Sequence, residues 1–130
     1  MTKNSTSIKV IRDTIAFNSE FCKTQEELFQ HTSLRPILKY LNLHLNKLVL
    51  AQCILFNSNF RELGVQQQHT FIKQQLSKNN TLKNQLIGCV IGLLDEVELQ
   101  YYQQNIQDYN KRINAMIEQR VLDQYRNFLN

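Results

Sequence analysis

One proline and three glycines in 130 residues leave this chain few places to reverse direction sharply. An all-β chain of this length needs many tight turns, and those turns draw on glycine and proline. Their scarcity predicts long helices instead. The apolar residues agree, because Leu34, Ile37, Leu38, Leu41, Leu45, Leu48, Ala51 (or Gln52) and Leu55 recur at steps of three and four. That spacing gives a helix one apolar face. Leu43, Val49, Leu50, Cys53, Ile54 and Phe56 widen the stripe, so the second half of this helix is expected to be buried nearly all round.

The same periodicity predicts further helices. Thr24 and Glu27 in "TQEELFQ" have the spacing of a capping box, and Thr32 or Ser33 is expected to cap the helix that begins near Pro36. A first-turn proline is tolerated there because first-turn amides have no intrahelical acceptor. Asn57–Asn59 ends that helix, and Gly64 is expected as the C-cap of a short turn carrying Phe60 and Leu63. Val65, Phe71 or Ile72, and Leu76 mark the next helix. "SKNNT" is a break, after which Asn80 or Thr81 should cap a helix bearing Leu82, Leu86, Ile87, Val90, Ile91, Leu93 and Leu94. Asp95 then caps a long helix with Glu96 and Glu98 in its first turn, where negative charge suits the dipole. The polar stretch from Gln103 to Asp108 can accommodate a kink.

Residues 1–23 are polar and rich in Ser, Thr and Asn. They read as an N-terminal arm, disordered at its start and extended where Ile15 and Phe17 could dock, with a short strand near Ile8–Ile11 compatible with the pattern. Residues 24–130 form the helical domain. The expected fold is therefore all-α: a compact bundle of four to six helices with an extended N-terminal arm. Hydrophobic residues at 42% and charged residues at 20% fit a globular chain.

"QLIGCVIGLLDEVELQ" holds Gly88 and Gly92 in the most apolar run. A phosphate-binding P-loop needs a lysine and Ser or Thr after the second glycine, and Leu93 and Leu94 stand there instead. A membrane GxxxG needs about 20 apolar residues around it, and Asp95 and Glu96 cut this run short. What remains is close approach of another helix to the two glycines, or a turn at Gly92.

Catalytic signatures are not visible. Cys22, Cys53 and Cys89 are odd in number and widely spaced, which argues against a disulfide framework; Cys53 and Cys89 read as small core residues. Glu27 and His31 share a helix face, but no second ligand pair accompanies them, so neither a metal site nor a cofactor is expected. There is no apolar signal sequence and no run long enough to span a bilayer, so a cytoplasmic protein without a membrane role is expected.

Two binding features stand out. Arg35 and Lys39 lie one turn apart near the start of one helix, and Lys111 and Arg112 lie later. Converging, they would bind phosphates, whether of nucleic acid or of a phosphorylated ligand; the bland alternative is that Arg35 pairs with Glu26 or Glu27 while the others are solvated or pair with Asp108 and its neighbours. Tyr102, Ile106, Tyr109, Ile113 and Met116 form a near-heptad stripe on the last helix. It points to a homodimer or another protein partner, and a non-enzymatic interaction module is the leading expectation.

The stretches "EELFQHTSLRPILKYLN", "LKNQLIGCVIG" and "YNKRINAMI" resemble a family of short bacterial helical proteins that often carry the label "glyoxalase". The matching positions are Phe29, Gln30, Leu34–Lys39, Gly88, Gly92 and Asn110–Arg112, across roughly residues 26 to 120. The resemblance implies no established activity. True glyoxalases are similar to one another in paired βαβββ modules with His and Glu metal ligands, and this chain has neither, so glyoxalase chemistry is not expected.

Overall fold

The computed structural model describes residues 25–129. The N-terminal arm, the Ile8–Ile11 segment and the Thr24 cap lie outside them. Among the described residues the fold is all-α with no strand: α1 (Gln25–Phe29), a π turn (Gln30–Leu34), α2 (Arg35–Tyr40), α3 (Asn42–Phe56), a 3-10 turn (Phe60–Glu62), α4 (Val65–Lys78), α5 (Asn80–Ile91), α6 (Glu96–Gln103), α7 (Ile106–Gln124) and a closing 3-10 turn (Tyr125–Phe128).

Four helices make the body. Among α3, α4, α5 and α7 every pair is in contact. Their shared interior holds Leu45, Val49 and Cys53 of α3, Ile72 and Leu76 of α4, Leu82, Leu86 and Val90 of α5, and Ile113, Ile117 and Val121 of α7, all at most 3% exposed. Burying an aliphatic side chain of this size stabilises by about 1.5–3 kcal/mol, so this interior is the main source of stability.

Entry into the bundle differs from the expected capped start. Neither Thr32 nor Ser33 caps a helix; the chain is already helical, and the Thr32 hydroxyl donates back to the Leu28 carbonyl at 2.6 Å. The backbone widens into a π turn, with the Arg35 N–H reaching the Gln30 carbonyl. Pro36 comes next. Proline lacks an N–H, and its ring crowds the carbonyl four residues back; the wide turn falls where an ordinary helical ladder meets that obstacle.

The expected single helix from Leu34 to Phe56 is also divided. Leu41 leaves helical geometry at φ −88°, ψ 6°, although its carbonyl still accepts from the Leu45 amide at 2.9 Å. Beyond it, buried Asn46 donates to the Asn42 carbonyl at 2.9 Å, the kind of back-bond that bends helices. After the bend the inward face is Leu45, Asn46, Val49, Leu50 and Cys53. Leu55 and Phe56 are 72% and 62% exposed, so the second half of α3 is not buried all round.

Junctions are short and are made by side chains. Gly64 begins α4 rather than ending the preceding turn; its φ of −64° and ψ of 161° are extended, and its N–H donates to Gln67 Oε1 at 3.3 Å. Asn79, one residue before the expected cap, alone separates α4 from α5. Its Oδ1 accepts from the Leu82 amide at 3.0 Å, while its Nδ2 donates to Gln75 Oε1 and Gln52 Oε1. Asp95 caps α6 as expected, in a full capping box: Glu98 N–H donates to Asp95 Oδ1 at 2.8 Å and Asp95 N–H to Glu98 Oε1 at 3.0 Å. The expected long final helix breaks at Asn105 (φ −153°, ψ 63°), inside the polar stretch, so α6 and α7 are separate helices.

The glycine pair does not mark a close helix contact. Gly88 is exposed, and a Cβ built there meets nothing within 4 Å. Gly92 is the C-cap that ends α5, so Leu93 and Leu94, expected on this helix, lie beyond it. Replacing Gly88 with Ala should therefore stabilise the helix by about 1 kcal/mol and raise Tm by about 3–5 °C. A fall in Tm on thermal denaturation would restore the close-packing reading.

The closing 3-10 turn is locked by one buried polar chain. Tyr125, fully buried, donates from its hydroxyl to Gln68 Oε1 at 2.7 Å, and Gln68 Nε2 donates to the Phe60 carbonyl at 3.0 Å. Tyr125→Phe keeps the ring and strands the Gln68 oxygen. It should cost about 1–3 kcal/mol, read as a lower denaturant midpoint at unchanged m-value.

Candidate functional site

The tyrosine stripe is core. Tyr102, Tyr109 and Ile113 are 5%, 4% and 0% exposed, and the Tyr102 hydroxyl donates to Asn110 Oδ1. Phe29 of α1 stacks on Tyr101 and Tyr109 with ring centroids 5.0 and 4.9 Å away. Of the five positions read as an interface, Ile106 alone is well exposed, at 44%, and Met116 is half-buried. The stripe fills this protomer's own interior and offers no continuous face to a second copy.

The basic residues divide. Arg35 and Arg112 line one cleft of about 570 Å³ together with Gln30, Leu38, Ala115, Met116, Gln119, Arg120, Asp123 and Gln124. Lys39 and Lys111 are exposed and lie outside that lining. Arg120 takes their place, a residue the sequence pattern did not single out. Its signal was present: Arg112 and Arg120 are eight apart, two turns along one helix, and so share a face.

Each wall of the cleft is positioned by the fold. On α7, Ile113, Ile117 and Val121 point into the bundle, which turns Arg112, Met116 and Arg120 to the flank. On the other wall, Leu34, Ile37 and Leu38 are buried and hold Arg35 outward. The π turn matters here. Residues five apart in an ordinary α-helix point about 140° away from each other. A ring closed between Gln30 and Arg35 brings both toward the cleft. Two hydrogen bonds cross between the walls: Arg112 Nη1 donates to Gln30 Oε1 at 3.3 Å, and Arg120 Nη1 donates to Asn42 Oδ1 at 3.5 Å.

Among the described residues the cleft lining holds three arginines and one carboxylate, Asp123. Arg35, Arg112 and Arg120 make no ion pair with a carboxylate among the described residues, so the expected pairing of Arg35 with Glu27 and of Arg112 with Asp108 is absent there. Asp108 instead accepts from Asn105 at 2.9 Å. Both Asp123 oxygens accept from Gln119 Nε2 at 3.2 Å. Burial, and then the charge of Arg35, pushes the Arg120 guanidinium below its ordinary value. His31 is lowered in the same way, by burial and then by Arg35, against an opposing pull from Glu27. Arg120 is thus a partly desolvated cation under the charge of the exposed Arg35, an arrangement that a bound anion would relieve.

Other candidate chemistry finds no setting. Among the described residues no three His, Cys, Asp or Glu groups converge as metal ligands, and no helix is long and apolar enough to cross a membrane. Cys53 is buried as expected, and burial pushes its thiol up to about 12. A thiol of that kind is not an activated nucleophile. With Cys22 and Cys89 replaced by Ser, Cys53 should stay unreactive toward a thiol reagent at pH 8 until denaturant unfolds the chain. Rapid labelling of the folded protein would contradict this.

Compared with protein-family models, curated proteins and solved structures, the chain matches none.

Proposed function

We propose that this protein binds a small anionic ligand, through phosphate or carboxylate groups, in the cleft between α2 and α7. The observation that supports the reading most is that Arg35, Arg112 and Arg120 line one concavity whose single carboxylate, Asp123, is hydrogen-bonded to Gln119 rather than to an arginine. Guanidinium is the planar, multiply donating cation suited to phosphate and carboxylate. One N–H of Arg112 and one of Arg120 are used across the cleft, which leaves most of the five donors on each side chain for a ligand. The volume falls within the about 300–1,000 Å³ common for small-molecule sites. Leu38, Ala115 and Met116 supply apolar lining, and Gln30, Gln119 and Gln124 supply neutral donors and acceptors.

A small ligand is favoured over nucleic acid because the arginines gather in one recess rather than along an extended stripe. The interaction-module and homodimer reading loses its main support, since its stripe is occupied within the protomer. No catalytic role is proposed for the cleft.

Calorimetric titration with inorganic pyrophosphate at low salt tests the reading. Arg35→Gln and Arg120→Gln should each weaken binding about tenfold, or about 1.4 kcal/mol. Lys39→Gln and Lys111→Gln should leave it nearly unchanged. Equal losses from all four substitutions would mean diffuse charge attraction rather than a cleft. Tighter binding of a single-stranded oligonucleotide, with a steep salt dependence, would move the reading to nucleic acid.

A further inference from the structure

Resting on the anion-binding reading, we infer that the cleft takes an elongated ligand with an anionic group at each end and an apolar middle. The cleft has two cationic ends rather than one cationic centre. Arg112 and Arg120 sit two turns apart on α7, about 12 Å along its axis. Their hydrogen bonds hold them apart: Arg112 is drawn to Gln30 at one end and Arg120 to Asn42 at the other. Gln30 and Asn42 are themselves separated by the π turn and the whole of α2. The two guanidiniums therefore do not close on a single point.

The ends are unequal. Arg35 lines the same cleft and its charge reaches the Arg120 guanidinium, so the Arg120 end carries the larger cationic charge. The Arg112 end presents one cation and the Gln30 amide. Between them the lining is Leu38, Ala115 and Met116, which would lie against a chain or ring carrying no charge. Asp123 stands three residues past Arg120 on the same wall, its carboxylate held by Gln119. Its negative charge partly offsets the cations at the Arg120 end.

The test compares α,ω-alkane bisphosphonates of rising length with monophosphonates of the same carbon number, and repeats the series with dicarboxylates and monocarboxylates. Binding is measured calorimetrically at fixed ionic strength. A bis-anion of matched length should bind about tenfold or more tightly than its mono-anion, because the second contact becomes intramolecular. Affinity should pass through a maximum with length. Arg112→Gln should reduce the matched bis-anion to the mono-anion's affinity and leave the mono-anion unchanged, since that ligand would sit at the Arg35–Arg120 end. Whichever headgroup series shows the maximum identifies the anion. If mono- and bis-anions bind alike at every length, the two-ended cleft is wrong while the anion reading stands. If neither series binds, both fall. Circular dichroism of Arg112→Gln, matching that of the parent, separates lost binding from lost fold.

Discussion

The structure depends on one ladder of buried side chains, Tyr109, Ile113, Ile117, Val121 and Tyr125, spaced four residues apart along α7 and into the closing turn. A step of four overshoots the 3.6-residue turn by about 40°, so the ladder winds slowly around its helix. At its start it meets Phe29 and Tyr102. At its end it meets Phe60 and the Gln68 amide. Through its middle it packs on the three other helices of the body. This winding seam fixes the rotation of α7, and with it the direction in which every other residue of that helix points. Arg112 and Arg120 each precede a ladder residue by one position, which places both on the same margin of the buried face.

The amide-rich composition has a structural use. Three charged side chains have neutral amide partners among the described residues: Gln30 for Arg112, Asn42 for Arg120, Gln119 for Asp123. Gln52, Gln75 and Asn79 join α3, α4 and α5 in the same manner. Amide partners orient a guanidinium without cancelling its charge. The cleft lining therefore holds three arginines against one carboxylate, Asp123.

Much of the fold was legible in the spacing of apolar residues, and the parts that were not have identifiable causes. The segments around Leu82–Val90 and Val65–Leu76 are helices because their periodicity has one solution. Asp95 was readable as a cap because its partner Glu98 lies three residues on. Asn79 was misplaced by one because it, Asn80 and Thr81 are chemically equivalent caps, and only the contacts with Gln52 and Gln75 distinguish them. Gly64 was assigned to the wrong helix because a glycine serves either end. The bend at Leu41 has no local signal, since Leu41 continues the apolar pattern through it. The cleft was half visible: Arg35 and Arg112 were identified, but Lys39 and Lys111 were grouped with them by nearness in sequence. The orientation of α7, which selects Arg120 instead, is set by packing that a single helix does not reveal. The tyrosine stripe shares one face, as its spacing implies, and Tyr102, Tyr109 and Ile113 on it are buried within the protomer.

The π turn at Gln30–Leu34 acts on more than the two residues it aligns. One residue more than an α turn is accommodated there, which offsets the phase of α1 by about 100° relative to α2. Phe29 reaches the tyrosines of α6 and α7 only in the shifted phase, and Leu34 and Ile37 reach the core only in the other. Chain length is thus set to the single residue between Phe29 and Arg35. A deletion there would ask the helix to choose between its aromatic anchor and its place in the bundle, whereas substitutions that preserve length leave that choice unforced.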